Sequence, residues 1–240
     1  MIKTYTKKKV IKEPRISANK LAEYVLATAS RRKRILLDAK YPETFITTRY
    51  KEAREIAKAY LCGNVTIDFV KQEINKFKNT AIAAAKIPKN DYQVQYHNQS
   101  ADALDSLLNS KIPLFNGANI IKYDEQAKII IMKGVAISVR PDLILKADIG
   151  GIINVGAIKL HITQTTKLSN ESQKIVGVLL YEYVKKHVIN VVKNEVANSK
   201  LCVSFDIFKQ QFDVCPPAMK RILTQVQDSC EEISSRWDKI

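Results

Sequence analysis

A chain of 240 residues with 46% hydrophobic content is long enough for one good core and a smaller helical annex. Its longest apolar runs, at 175–180 and 81–85, fall far short of the roughly 20 residues a membrane span needs, and no charged-then-apolar leader opens it; a cytoplasmic protein with no membrane partner is expected. The formal charge of +15 predicts attraction to polyanions. That charge is uneven, because residues 1–89 hold 21 Lys and Arg against 8 Asp and Glu, whereas residues 90–240 hold 18 against 16. Four scattered cysteines (Cys62, Cys202, Cys215, Cys230) include no C-x-x-C pair, which argues against zinc or iron–sulfur chemistry and for reduced, buried thiols.

Residues 1–15 carry Lys3, Lys7, Lys8, Lys9, Lys12 and Arg15 with few core formers, and read as a flexible basic arm. A basic helical region over 16–97 follows. Its first helix is capped by Ser17 or Asn19 and runs toward Arg31–Arg34; a second follows Pro42 and ends near Gly63; a third runs from about Thr66 to Lys86. From 98 to 240 the texture changes. A short amphipathic helix holds Ala101, Leu104, Leu107 and Leu108, and three β-rich runs follow at 128–132, 135–145 and 152–163. Their hinges at Lys133-Gly134 and Gly150-Gly151 predict one antiparallel meander. A long helix over about 169–194, a strand over 201–208 and a helix after Pro216-Pro217 complete the reading.

Period-two alternation puts Ile158, Leu160 and Ile162 on one side of their strand, with Ala157, Lys159 and His161 on the other. On the preceding run, Val139, Leu143 and Leu145 share the apolar side and leave Asp142 on the opposite one. Shared burial of the apolar faces brings Asp142 and Lys159 together in a cleft. A carboxylate and an amine so placed suit phosphodiester hydrolysis, with Asp142 as a hard oxygen ligand for Mg²⁺ or Mn²⁺ and Lys159 activating water or neutralising developing charge. His161 shares this face, while His97 reads as a capping residue and His187 lies on the long helix.

Pro141-Asp142, followed by Lys159 in Ala157-Ile158-Lys159, resembles the signature of the PD-(D/E)XK nuclease-like superfamily. The resemblance implies an α+β protein with an αβββαβ restriction-endonuclease-like core over about 100–215, here joined to a basic N-terminal helical region. It also implies catalytic roles for Asp142 and Lys159, and a third metal ligand from the backbone carbonyl of Ile158 or Leu160. The sequence departs from the pattern where Ala157 replaces the acidic residue two before the lysine, which turns attention to Glu171 and Glu182 on the following helix as substitute metal carboxylates. Gln173 resembles the glutamine of the Gln-x-x-x-Tyr motif of RecB-type members, although Gly177 stands where the tyrosine would be. The implied function is metal-dependent cleavage of DNA. The alternative is a catalytically inactive nucleic-acid-binding protein that keeps the fold, and a third reading is a basic scaffold for a protein partner or a homodimer. Arg31, Arg32, Lys33, Arg34, Arg49, Lys51, Arg54 and Arg140 are the expected nucleic-acid contacts.

Overall fold

The computed structural model describes residues 10–42, 50–123, 128–164 and 168–240. Arg49 and the arm lysines Lys3, Lys7, Lys8 and Lys9 lie outside the described residues. The chain opens with β1 (Arg15–Ser17), α1 (Ala18–Leu26) and α2 (Ala29–Lys40), then α3 (Lys51–Leu61), α4 (Ile67–Ala85) and α5 (Asp91–Leu108). Strands β2 (Asn119–Lys122), β3 (Ile129–Met132), β4 (Val135–Ser138), β5 (Leu143–Ile149) and β6 (Ile152–His161) lead into α6 (Asn170–His187). The described elements end with β7 (Glu195–Asp206), β8 (Gln211–Val214) and α7 (Met219–Arg236). The class is α+β, as expected. Among the described residues no helix is long and apolar enough to cross a membrane.

These elements form two compact units. The first comprises Met1–Thr47, Ala127–Val139 and Ala218–Ile240. Its sheet has the order β1-β4-β3, with β1 parallel and β3 antiparallel to β4. Trp237 is fully buried here, and its indole N–H donates to the carbonyls of Ile11 and Lys12. Lys40 Nζ returns a bond to the Trp237 carbonyl at 2.6 Å. Residues 10–15, expected to continue the flexible arm, are therefore tied down by backbone bonds and by β1.

The second unit comprises Thr48–Gln126 and Arg140–Pro217. The basic helical region expected over 16–97 is thus divided, with α1 and α2 in the first unit and α3, α4 and α5 in the second. The sheet of the second unit has the order β2-β5-β6-β7-β8, antiparallel except for the parallel pair β6–β7. One face buries Leu143, Leu145, Ile158, Leu160, Val203 and Phe205 in a core with Ala57, Val70, Phe77 and Leu104 of the helices. Helix α6 packs on β6, β7 and β8 and lies against the other face. The close approach of β6 to β7 requires Gly156, since a Cβ there would lie 2.2 Å from the Leu201 carbonyl oxygen.

The meander expected over 128–163 is corrected. Both predicted tight turns form, Lys133-Gly134 and Gly150-Gly151, each with two residues at positive φ. The run 135–145, however, is two strands in different sheets: β4 pairs with β3 in one unit, and β5 pairs with β6 in the other. The break falls where Arg140 takes φ +48° ahead of Pro141, whose ring and missing N–H end the ladder. The actual meander is β2–β5–β6, so within the second unit the order from α5 is helix, three strands, helix and two strands.

Candidate functional site

Residue Asp142 stands just before β5, one step beyond the Leu143–Ile158 pair, and this register sets it opposite Lys159. It is 6% exposed, and its own N–H, carbonyl and both carboxylate oxygens are hydrogen-bonded. The Asp142 N–H donates to the Ile158 carbonyl at 2.9 Å. Oδ2 accepts from the Leu160 N–H at 2.8 Å, and Oδ1 accepts from Arg54 Nη1 at 2.7 Å. The same Arg54 nitrogen donates to the Leu160 carbonyl at 3.2 Å. The side chain of α3 thereby reaches the end of the sheet and binds two of the oxygens that the family resemblance would give to a metal.

Lys159 shares this row and sends its amine to the Arg140 carbonyl at 3.0 Å. Burial pulls the amine down to about 8, with Asp142 opposing that shift and the charges of Arg54 and Arg140 adding to it. The carbonyl that Lys159 holds belongs to a non-glycine residue in the left-handed region directly before proline, a costly conformation that surrounding contacts must maintain. The pair Asp142 and Lys159 thus clamps the strand entry from two sides.

The register also shows what else lies on this face. Lys159 pairs with Ser204, and Ser204 with Asp213; in the next row His161 pairs with Asp206, and Asp206 with Gln211. Gln173 comes from the first turns of α6, one helical turn before Gly177, which rests against the backbone of Cys215 on the far side of β8. Among the described residues Asp206 Oδ2, Ser204 Oγ and both amide atoms of Gln173 are buried without a hydrogen-bond partner. Such groups are costly to leave unpaired in an interior. Asp206 Oδ1 accepts from the Lys209 N–H at 3.1 Å. Burial raises the Asp213 carboxyl above its usual range, with Lys174 and Lys209 opposing and Glu171 reinforcing.

Ser204, Asp206 and Asp213 belong to no motif in the sequence. Their signal is the alternation Val203-Ser204-Phe205-Asp206, in which polar residues recur at period two within a buried strand. The two helix carboxylates considered as replacements for Ala157 go elsewhere. Glu171 is exposed and paired with Lys174 at 2.6 Å. Glu182 acts on Cys215, whose thiol is pushed up to about 12 chiefly by burial. Neither is among the charges named above that act on the Lys159 amine. Packing at Gly177 is tight, since a Cβ there would lie 3.0 Å from Cys215 Cα.

The oxygens that the resemblance would give to a metal are engaged by protein donors. Asp142 and the Leu160 carbonyl bind a guanidinium, the Ile158 carbonyl binds an N–H, and Ala157 is buried with no ligand atom to offer. Among the described residues no group of three or more His, Cys, Asp or Glu side chains is gathered to hold a metal ion.

The expected nucleic-acid contacts also divide. Arg32 is internal to the first unit: it donates to the carbonyls of Tyr24 and Val25, pairs with Glu232 at 2.9 Å and lies over the Tyr24 ring. Arg31 pairs with Glu23. Lys33 and Arg34 are exposed and, among the described residues, have no acidic partner. In the second unit Lys51 and Arg140 are exposed, while Arg54 is engaged with Asp142. Compared with protein-family models and with curated proteins, the chain has no match, so these residues and their geometry carry its reading.

Proposed function

We propose that this protein binds the phosphate backbone of nucleic acid without cutting it, on a core of the PD-(D/E)XK kind in which an arginine has taken the place of the metal. The observation that carries the reading is the Arg54 guanidinium, bound at once to Asp142 Oδ1 and to the Leu160 carbonyl. A fixed organic cation there neutralises Asp142 and satisfies the oxygens that a divalent ion would need. The order of the second unit, helix, three strands, helix and strand with β8 added after them, supports the fold assignment. The formal charge of +15 supports a polyanionic partner.

The test is titration of the purified chain with duplex and single-stranded DNA over a range of salt. Log-linear weakening of affinity with salt is expected, together with no cleavage in Mg²⁺ or Mn²⁺ and no effect of a chelator on binding. Little affinity for any nucleic acid would sink the proposal and favour a protein partner.

A second reading, metal-dependent cleavage of DNA, is favoured by one feature: Lys159 has an amine near 8 on the same face as the unpaired carboxylate oxygen of Asp206. Chelator-sensitive cutting in the same assay decides for it.

A further inference from the structure

We propose that the outward face of α4 is the surface that docks into the major groove of duplex DNA. The inference rests on the nucleic-acid reading above and names the surface and the form of nucleic acid.

Helix α4 buries Val70, Ile74, Phe77, Ala81 and Ala84. The opposite stripe is formed by Gln72, Asn75, Lys76, Asn79, Thr80 and Ala83, an open and nearly flat surface. These positions follow the i, i+3, i+4, i+7 spacing of one helical face, and they span roughly 16 Å at 1.5 Å rise per residue. An ordinary solvated face mixes charges of both signs. Here three amides lie in a row among lysines. From residue 71 to 89 there are five lysines and one acidic residue, Glu73.

Those groups are available. Glu73 is paired with Lys76 at 3.3 Å, which leaves Lys71, Lys78, Lys86 and Lys89 without an acidic partner among the described residues. Gln72, Asn75 and Asn79 are exposed and make no side-chain hydrogen bond among the described residues. An Asn or Gln amide offers a donor and an acceptor side by side, the pattern that matches the major-groove edge of adenine, while flanking lysines meet phosphates. An acidic protein surface would use the lysines but would leave the amides idle. The B-form major groove, about 12 Å wide, admits an α-helix, whereas the deep, narrow major groove of an RNA duplex does not, so the geometry favours DNA.

The test uses the full chain against a duplex DNA oligonucleotide and an RNA duplex of the same sequence. Asn75→Ala/Asn79→Ala is expected to weaken DNA binding at least tenfold with an unchanged salt slope, since it removes base-edge contacts and no charge. Lys71→Gln/Lys78→Gln is expected to flatten the slope of log affinity against log salt by about 1.8. All four positions are exposed, and circular dichroism will verify that the variants are folded. If the parent chain binds DNA while both variants retain its affinity and slope, the α4 surface is wrong and the nucleic-acid reading survives. Tighter binding of the RNA duplex overturns the groove-docking proposal. If the parent binds no nucleic acid, both readings fall.

Discussion

Arg54 Nη1 lies 2.7 Å from Asp142 Oδ1, and this ion pair joins α3 to the entry of β5 at the point where the family resemblance would place a metal. Asp142 is almost fully shielded and the arginine about one-third exposed, so the carboxylate depends on this partner and on the Leu160 N–H for its charge to be tolerated. Arg54→Ala is therefore expected to lower unfolding stability by about 1–3 kcal/mol, as measured by urea titration. It is also expected to let Mg²⁺ or Mn²⁺ raise the thermal midpoint, whereas the parent's midpoint is expected to stay unchanged with either ion. A parent midpoint that rises with metal would contradict the view that the guanidinium fills the cation position.

The Lys159 amine gives a pH signature. Its value in the folded protein, about 8, lies below the ordinary 10.5, so the folded state holds fewer protons than the unfolded one between those limits. Stability contributed by this group is present above 10.5 and is lost as pH falls through 8. Unfolding free energy of the parent should accordingly rise from pH 8 to 10.5 relative to Lys159→Met, which has no amine to titrate. Parallel pH profiles for the two proteins would refute the shift.

The basic cluster of α2 should separate into two kinds of residue. Arg32→Ala removes bonds to two carbonyls and to Glu232, and is expected to cost about 2 kcal/mol of stability. Lys33→Glu/Arg34→Glu removes no such bond and should leave the unfolding midpoint within about 0.5 kcal/mol of the parent. The latter variant is expected to weaken binding to all DNA sequences alike and to flatten the salt dependence. Unchanged affinity would remove α2 from the interface.

Two glycines report on sheet packing. Gly156→Ala drives a Cβ into the Leu201 carbonyl, at a backbone site that cannot move aside, and is expected to destabilise by about 3 kcal/mol or more. Gly177→Ala meets Cys215 at 3.0 Å and should cost less, about 1 kcal/mol, whereas Gly177→Tyr should prevent α6 from seating on β8. Urea midpoints of the three variants check this order.

Local patterns in the sequence determined the elements best. Apolar spacing fixed α4 to within a residue at each end, and Lys133-Gly134 and Gly150-Gly151 specified their tight turns. Alternation of apolar and polar residues put Asp142 and Lys159 in one row, because a strand's period of two is a property of the chain itself. Only the tertiary structure decided which strands pair. The run from 135 to 145 looks continuous in composition, yet left-handed Arg140 and Pro141 divide it between two sheets, and β2 supplies the meander in place of β3. The partners of Asp142 were equally hidden, because Arg54 is 88 residues away and its choice of Asp142 over water depends on how α3 packs against the sheet. The same holds for Ser204, Asp206 and Asp213. Their short polar side chains carry no distinctive motif, and they join Lys159 and His161 on one face only after the parallel pairing of β6 with β7 and the antiparallel pairing of β7 with β8 have set the register.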